Sequence, residues 1–518
     1  MQGDKTIGQA FREAVEAFGR KELVWQPDRQ ATFVEVDEAS ERVAAALQRE
    51  GVQAGERIAL YGINDLSFVQ AYLGIQKAGA VVVPLNLLIS AEEIRYILND
   101  ARVSGLIYHQ AMGEKVEAFR DVLDGLKFVC GIGVPNEPYA THSFEDWLRV
   151  SGEVRDPGLD PVKNLAAILY TSGTTGHPKG AMLSHRNLVS NTSSVVRALQ
   201  LQPEKDRLLV VLPLFHSFAA TVGMLTPCLH GLCLLPVPRF DPGLVSDVIG
   251  DGGATVFLGV PSMYNLLHRL PEEQKEKWRS VRLGVAGGAA MPVELLRNFE
   301  NRFGFPIVEG DGPTECSPVT CVNPPQGPRK PASVGLPVPD VEMAIMGSDG
   351  RPLPDGETGE ICVRGPNVMQ GYWNLAEATA EAFFGDWLRT GDLGYRDSDG
   401  YFFMVDRIKD MIIVNGMNVY PRMVEEVLYR HPGILEAAVV GEPHPSHGEI
   451  VVAHVVPRED VSLEATEVRN WCRAHLGQHQ WPRKVILRDS LPKNATGKIL
   501  KRELRREGEL ERGVDQTP

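Results

Sequence analysis

Residues 170–180 read Tyr-Thr-Ser-Gly-Thr-Thr-Gly-His-Pro-Lys-Gly. Three glycines, four Ser/Thr hydroxyls and Lys179 fall within eleven residues. The loop follows an apolar run, Leu165 to Leu169, that predicts a buried strand. Glycines let backbone N–H groups come close to an anion, while hydroxyls and a lysine add donors and positive charge. That chemistry wraps polyphosphate, and it makes Thr171, Ser172, Gly173, Thr174, Thr175, Gly176 and Lys179 candidate phosphate ligands. The loop is not a Walker A motif, which needs Gly-Lys followed by Ser or Thr. Here Lys179 stands between Pro178 and Gly180.

The elements that must position such a loop are legible in outline. Residues 1–165 alternate helical patterns with short apolar strands at 57–61, 80–84 and 106–108, and the rhythm continues at 208–214, 254–258 and 282–286. Strands alternating with helices predict parallel sheets covered by helices. From about 332 to 405, turns such as Gly347-Ser348-Asp349-Gly350 and Pro354-Asp355-Gly356 separate short strands and predict antiparallel β structure, a small barrel. After Asp410 comes a compact unit: a strand, a helix from Pro421 to Tyr429, strands at 437–440 and 451–456, a helix and a strand. The charged tail beyond Lys501 is expected to fray. Near the N-terminus, Ile7, Phe11, Val15 and Phe18 form a helical stripe that predicts a helix packed on the body.

Composition narrows the function classes. With 518 residues, 43% apolar and 23% charged, the chain suits a soluble multidomain protein. Its net charge of −14 and lack of a long basic run argue against a nucleic-acid-binding surface, so anionic substrates must meet local positive sites. Seven scattered cysteines contain no C-x-x-C pair. They predict no zinc and reduced thiols, hence a cytoplasmic location. Cys316, next to Glu315, is expected to be a packed thiol. The polar residues 2–20 are not expected to be a signal peptide, and no apolar run approaches the length of a membrane span.

Five more motifs follow the loop: Asp-Gly-Pro-Thr-Glu at 311–315, Arg-Thr-Gly-Asp at 389–392, Asp-Arg-Ile-Lys-Asp at 406–410, Asn-Gly-Met-Asn-Val-Tyr-Pro at 415–421 and Pro-Lys-Asn-Ala-Thr-Gly-Lys at 492–498. In this order, across nearly the whole chain, they resemble the motif set of the adenylate-forming superfamily: acyl-CoA synthetases, luciferases and non-ribosomal peptide adenylation domains. The resemblance implies an α/β fold. Its large N-terminal domain, 1–405, would have two doubly wound α/β subdomains, about 1–165 and 166–331, plus the small β-barrel at 332–405. A hinge at 406–410 would lead to a small mobile α+β C-terminal domain at 411–518.

It also implies roles. Glu315 would bind Mg2+ and Thr314 a phosphate, with Lys498 the catalytic lysine. Asp392 would accept from both ribose hydroxyls, and Arg407 would contact ribose or phosphate. Gly287, Gly288 and Ala289 would pass the adenine and the acyl carbonyl, with Gly310 and Asp311 also in the ATP site. Lys409 would be the pivot of domain rotation, and Gly416 would line the coenzyme A channel. The segment 213–218, Pro-Leu-Phe-His-Ser-Phe, resembles the acyl-CoA synthetase form of the acid pocket, with His216 beside the substrate carboxylate. No carboxylate stands at 214–219 to hold an ammonium group, which disfavours an amino acid. Gly223, Met224, Gly259, Val260 and Tyr264 could line an aliphatic tunnel, and the flanking 238–242 most resembles bacterial medium- and long-chain fatty acid ligases.

The expected activity is ATP-dependent ligation of a fatty acid to coenzyme A through acyl-AMP, with ATP, Mg2+ and CoA required. The alternatives are loading of a separate carrier protein, which is possible but not expected, and a CoA ligase for aromatic or short-chain acids. A homodimer stays open. Two departures stand out. Asp311 replaces the aromatic that stacks on adenine in relatives, and His-Pro-Ser-His-Gly-Glu at 444–449 replaces a segment that often carries an aromatic and a basic residue.

Overall fold

The computed structural model describes residues 4–134, 139–171, 177–458, 461–493 and 498–514. Two large sheets carry the N-terminal part. The first runs, in spatial order, His142–Ser143, Phe128–Ile132, Val103–His109, Arg57–Tyr61, Val81–Pro84, Leu165–Thr171 and Lys179–Ser184. Its strands are parallel until the final pair, Leu165–Thr171 with Lys179–Ser184, which is an antiparallel hairpin. The second sheet runs Leu336–Pro337, Cys321–Val322, Ile307–Asp311, Leu283–Ala286, Val256–Gly259, Arg207–Val210, Cys233–Pro236, Glu22–Gln26 and Arg29–Thr32. Its interior is parallel and its ends antiparallel.

The boundary expected near residue 165 is therefore displaced at both ends. The strands Leu165–Thr171 and Lys179–Ser184 complete the first sheet. The hairpin Glu22–Gln26 and Arg29–Thr32 belongs to the second, because Val24 pairs with Leu234. Between the sheets the helix Leu66–Lys77 is buried along its whole length, as an all-round covered helix must be. Even Lys77 is only 5% exposed, its ammonium held 2.6 Å from Asp37. The helix Ile7–Phe18 forms as its apolar stripe predicts. A Thr6–Gln9 capping box starts it, and Ile7, Phe11 and Ala14 are buried.

Residues 342–407 form an antiparallel sheet in which Glu342–Met346, Gly359–Arg364, Trp387–Arg396 and Phe402–Arg407 pair in succession, with Phe383–Phe384 also on Trp387–Arg396. Among the described residues the pairings link Glu342–Met346 to Phe402–Arg407 through the two strands between them. The C-terminal unit pairs Met417–Val419, Ile412–Val414, Gly448–Pro457 and Ile434–His444 antiparallel, with Lys484–Leu487 added in parallel. The helix Pro421–Tyr429 matches its expected bounds. The tail beyond Lys501 corrects expectation. It continues as the helix Lys501–Val514, anchored by fully buried Leu504 against Ala438, Val440 and Val452.

Candidate active site

The two strands that flank the phosphate loop hold its ends in register. Thr171 pairs with Lys179 and Tyr170 with Gly180, and the Thr171 hydroxyl donates to the Lys179 carbonyl at 3.4 Å. Ser172, Gly173, Thr174, Thr175 and Gly176 lie outside the described residues. His177 stacks on Tyr96, ring centroids 4.3 Å apart. Lys179 places its ammonium 5.1 Å from the centroid of the Tyr372 ring.

Tyr372 joins this lysine to the acidic motif. Its hydroxyl donates to Glu315 Oε1 at 2.8 Å, and burial with the Glu315 charge raises the phenol so that it stays a donor. The Met369 N–H donates to the Glu315 carbonyl, also at 2.8 Å. Thr314 opens the short helix Thr314–Cys316, and its hydroxyl lies 3.1 Å from that of Ser217. Ser217 in turn neighbours His216. The Phe218 N–H points to His216 Nδ1 at 3.4 Å, so the ring carries its proton on Nε2. Burial, helped by the Lys498 charge, holds His216 down to about 4, neutral at ordinary pH. Cys316 is fully buried and its thiol pushed well up, a packed residue as expected.

A second group surrounds Asp392. This carboxylate is 4% exposed, and Arg407 Nε on the adjacent strand lies 3.1 Å from its Oδ1. Burial raises Asp392 and the arginine opposes that rise. Burial, then Arg407, lowers Lys498, while Asp392, Asp311 and Asp410 pull it up, so these five side chains share one electrostatic cluster. Asp311 belongs to it: burial raises its carboxyl, and Arg407 and Lys498 counter that. In place of a stacking ring, this chain sets a carboxylate among cations. Gly310, beside it, pairs with Val322, and Gly287 lies against the Phe218 ring and the Gly310 carbonyl. Gly288 adopts φ +75°, which a side chain resists, and it and Ala289 are exposed at the end of the strand Leu283–Ala286.

Lys409 and Gly416 belong to the hinge and to the loop that follows it. Lys409 is exposed beside Asp410, which pairs with Arg505 at 2.6 Å. Gly416, at φ +78°, has open space where a side chain would point. The departing segment 444–449 meets this loop, since His447 Nδ1 lies 2.9 Å from Asn415 Oδ1 and the Asn415 N–H donates to the His447 carbonyl. The tunnel residues are packed. Met224 and Tyr264 are fully buried, a Cβ on Gly223 would meet Val210 at 2.7 Å, and one on Gly259 would meet Phe257 at 2.8 Å. Tyr264 donates to the Val285 carbonyl at 3.1 Å.

The residues suit the groups expected. Glu315 offers the hard oxygen that Mg2+ favours. Among the described residues no three acidic, histidine or cysteine side chains gather into an all-protein cage. Mg2+ typically takes its remaining ligands from water and substrate phosphates. For a nucleotide, Asp392 Oδ1 is a buried oxygen without a hydrogen bond, an acceptor suited to a sugar hydroxyl. No described helix is long and apolar enough to cross a membrane. Tyr372 is the residue that sequence reasoning missed; its only sequence signal is a Gly-Tyr-Trp triplet amid turn residues.

A family model described as AMP-binding enzyme matches residues 11–373, and one described as AMP-binding enzyme C-terminal domain matches 423–498. The long-chain-fatty-acid–CoA ligase of Bacillus subtilis (strain 168) is 35% identical over 528 residues, 97% of this chain and 94% of that protein. The feruloyl-CoA synthase of an Amycolatopsis species is 37% identical over 479 residues, 92% and 93% of the two chains. The crystal structure of the anthranilate CoA ligase AuaEII in complex with anthranoyl-AMP superposes with a TM-score of 0.91 at 28% identity, covering 99% of both chains.

Proposed function

We propose that this chain, which belongs to the AMP-binding enzyme family, ligates a medium- or long-chain fatty acid to coenzyme A. The reaction class follows from the family: it is an AMP-forming acid–CoA ligase that uses ATP, Mg2+ and CoA. The choice of acid rests on the surroundings of His216. Residues 214–219 are Leu-Phe-His-Ser-Phe-Ala, with no charge to hold a substrate amine, and the 35% identical Bacillus relative is named for long-chain acids. A cytoplasmic location fits the seven unpaired cysteines, all buried.

Both reactants are anions, so the first task is to neutralise and align them. In this reading Lys179, Thr314 and the loop 171–176 hold the β- and γ-phosphates, and Asp392 with Arg407 fixes the ribose. Neutral His216 donates from Nε2 to the acid. One carboxylate oxygen then attacks the α-phosphorus, an acyl–phosphate bond forms, and the α–β bridging P–O bond breaks to release pyrophosphate. Lys498 stabilises the charge that gathers on the α-phosphate oxygens. Mg2+ at Glu315 supplies charge neutralisation on the triphosphate. In the second step the CoA thiolate attacks the acyl carbon and AMP departs. Lys409 serves as pivot and Gly416 admits the thiol arm.

A second reading, an aromatic acid, draws support from the tight surroundings of Gly223 and Gly259, where an added Cβ would meet Val210 at 2.7 Å and Phe257 at 2.8 Å, and from fully buried Tyr264. The 37% identical relative named for feruloyl-CoA agrees with it. A screen of acids from acetate to palmitate, with benzoate and ferulate, read by AMP release, decides between them. Each buried methylene contributes roughly 0.8 kcal/mol, so kcat/KM should climb about fourfold per methylene until the pocket ends. A maximum at acetate or at an aromatic acid overturns the fatty-acid reading.

A further inference from the structure

Tyr372 touches both charged ends of the phosphate-handling site. Its O–H donates to Glu315 Oε1 at 2.8 Å, and its ring lies under the Lys179 ammonium, 5.1 Å from nitrogen to centroid. The backbone around it is clamped to the strand that carries Lys179 and to the backbone of Glu315. Gln370 N–H donates to the Met182 carbonyl, Met182 N–H to the Gly371 carbonyl and Trp373 N–H to the Gly180 carbonyl, at 2.8–2.9 Å. These bonds extend the strand Lys179–Ser184, while Met369 holds the Glu315 backbone. The Tyr372 N–H is itself fixed by the Thr379 hydroxyl at 2.9 Å.

An ammonium and a carboxylate that contact the same side chain attract, and the attraction grows as water is excluded. Paired with each other, they would be poorly available to a phosphate and a cation. The tyrosine contacts both of them. It holds the ammonium on its face by cation–π attraction and the carboxylate at its hydroxyl, so each charge is kept in place but unneutralised.

We propose that Tyr372 is a positioning residue for metal–ATP binding, a spacer that keeps Lys179 and Glu315 from pairing and orients both toward the triphosphate. The proposal rests on the reading of Glu315 as the metal-binding carboxylate. It extends that reading to a residue outside the six motifs.

The test is the affinity of the full-length protein for Mn2+–ATP, followed by the electron paramagnetic resonance of bound Mn2+ without acid or CoA. Tyr372→Phe keeps the ring and the backbone pairings and removes one bond to a charged group. The expected loss is about tenfold in metal–ATP affinity. Tyr372→Leu also removes the ring, and ATP affinity measured in EDTA should fall as well. The KM for the acid and the thermal unfolding midpoint should stay near wild type for Tyr372→Phe. A purely structural role would instead lower the midpoint and harm acid and ATP alike. If Tyr372→Phe and Tyr372→Leu bind Mn2+–ATP like wild type while Glu315→Gln binds it weakly, the spacer role is wrong and the reading of Glu315 stands. If Glu315→Gln binds Mn2+–ATP like wild type, that reading fails and the proposal with it.

Discussion

Asp392 and Arg407 face each other across adjacent antiparallel strands, Nε to Oδ1 at 3.1 Å, yet that oxygen is buried without a hydrogen bond. The pair attracts electrostatically but is not aligned for an N–H donor, which leaves Oδ1 as an acceptor in want of a partner. In the proposed function a ribose hydroxyl fills it. Asp392→Asn should raise the KM for ATP by about ten- to a hundredfold, the range for losing a hydrogen bond to a charged group. Wild-type enzyme should discriminate against 2′-deoxy-ATP or 3′-deoxy-ATP, and the variant much less. Equal discrimination in both proteins, measured as ratios of kcat/KM, would place the ribose elsewhere.

The Lys498 ammonium carries an alkaline limit. Burial, with Arg407 adding to it, brings this lysine from its ordinary 10.5 down to about 8. The sign is that of a lowered base: the cation persists below that value and is lost as pH rises through it. Because kcat/KM reports the free enzyme, kcat/KM for ATP should fall above about pH 8. Lys498→Arg, slower overall, should stay flat to about pH 10, since a guanidinium does not titrate there. The limb persisting unchanged in the arginine variant would assign it to another group.

Gly416 and Lys498 should separate the two half-reactions. Lys498 lies within the electrostatic cluster of Asp392 and Arg407, whereas Gly416 sits on an exposed hairpin with open space around it. Lys498→Ala should reduce acyl-AMP formation about a hundredfold or more, as for loss of one strong transition-state contact, while still converting supplied acyl-AMP and CoA to thioester. Gly416→Leu should leave pyrophosphate exchange near normal and impair thioester formation. Equal impairment of both half-reactions by both variants would argue against one pocket serving two domain arrangements.

Glu309 should be a stability liability near neutrality. It is 3% exposed, accepts from the Met291 N–H at 3.0 Å, and burial pushes its carboxyl up to about 7 against an ordinary 4.5. The unfolded chain releases the proton first as pH rises, so stability falls between about 4.5 and 7. Glu309→Gln keeps the acceptor for Met291 and removes the charge. At pH 8 it should be more stable by about 3 kcal/mol, the order set by 1.36 kcal/mol per pKa unit, with the gain vanishing near pH 4. Calorimetric unfolding at both pH values checks this; a gain of the same size at pH 4 and 8 would mean that ionisation is not its source.

What the sequence made legible was local. The stripe of Ile7 and Phe11 and the run at Leu165–Leu169 became the expected helix and strand because burial periodicity is written into neighbouring residues. The candidate residues of four motifs also converge: Glu315 and Lys179 through Tyr372, and Asp392 and Lys498 in one cluster. Tyr372 itself was illegible. It meets Glu315 across 57 residues only because residues 370–373 pair with Lys179–Ser184, and nothing in Gly-Tyr-Trp announces that register. The displaced subdomain boundary has the same origin, a pairing between distant strands. The ordered tail has the same origin: buried Leu504 and the ion pairs Lys501–Glu425 and Arg505–Asp410 seat the helix Lys501–Val514 on partners distant in sequence.

The placement of Glu22–Gln26 also dictates an order of assembly at the ribosome. This hairpin is among the first segments made, but its seat beside Cys233–Pro236 does not yet exist, and Lys21 reaches its acceptor at Gly231 only 210 residues later. All strands of the first sheet have been synthesised by Ser184. A chain paused between Ser184 and Cys233 therefore owns one completable sheet and a homeless hairpin whose Leu23 and Val24, buried in the finished protein, face water. Such a chain exposes apolar residues that the later strand Cys233–Pro236 covers in the finished protein.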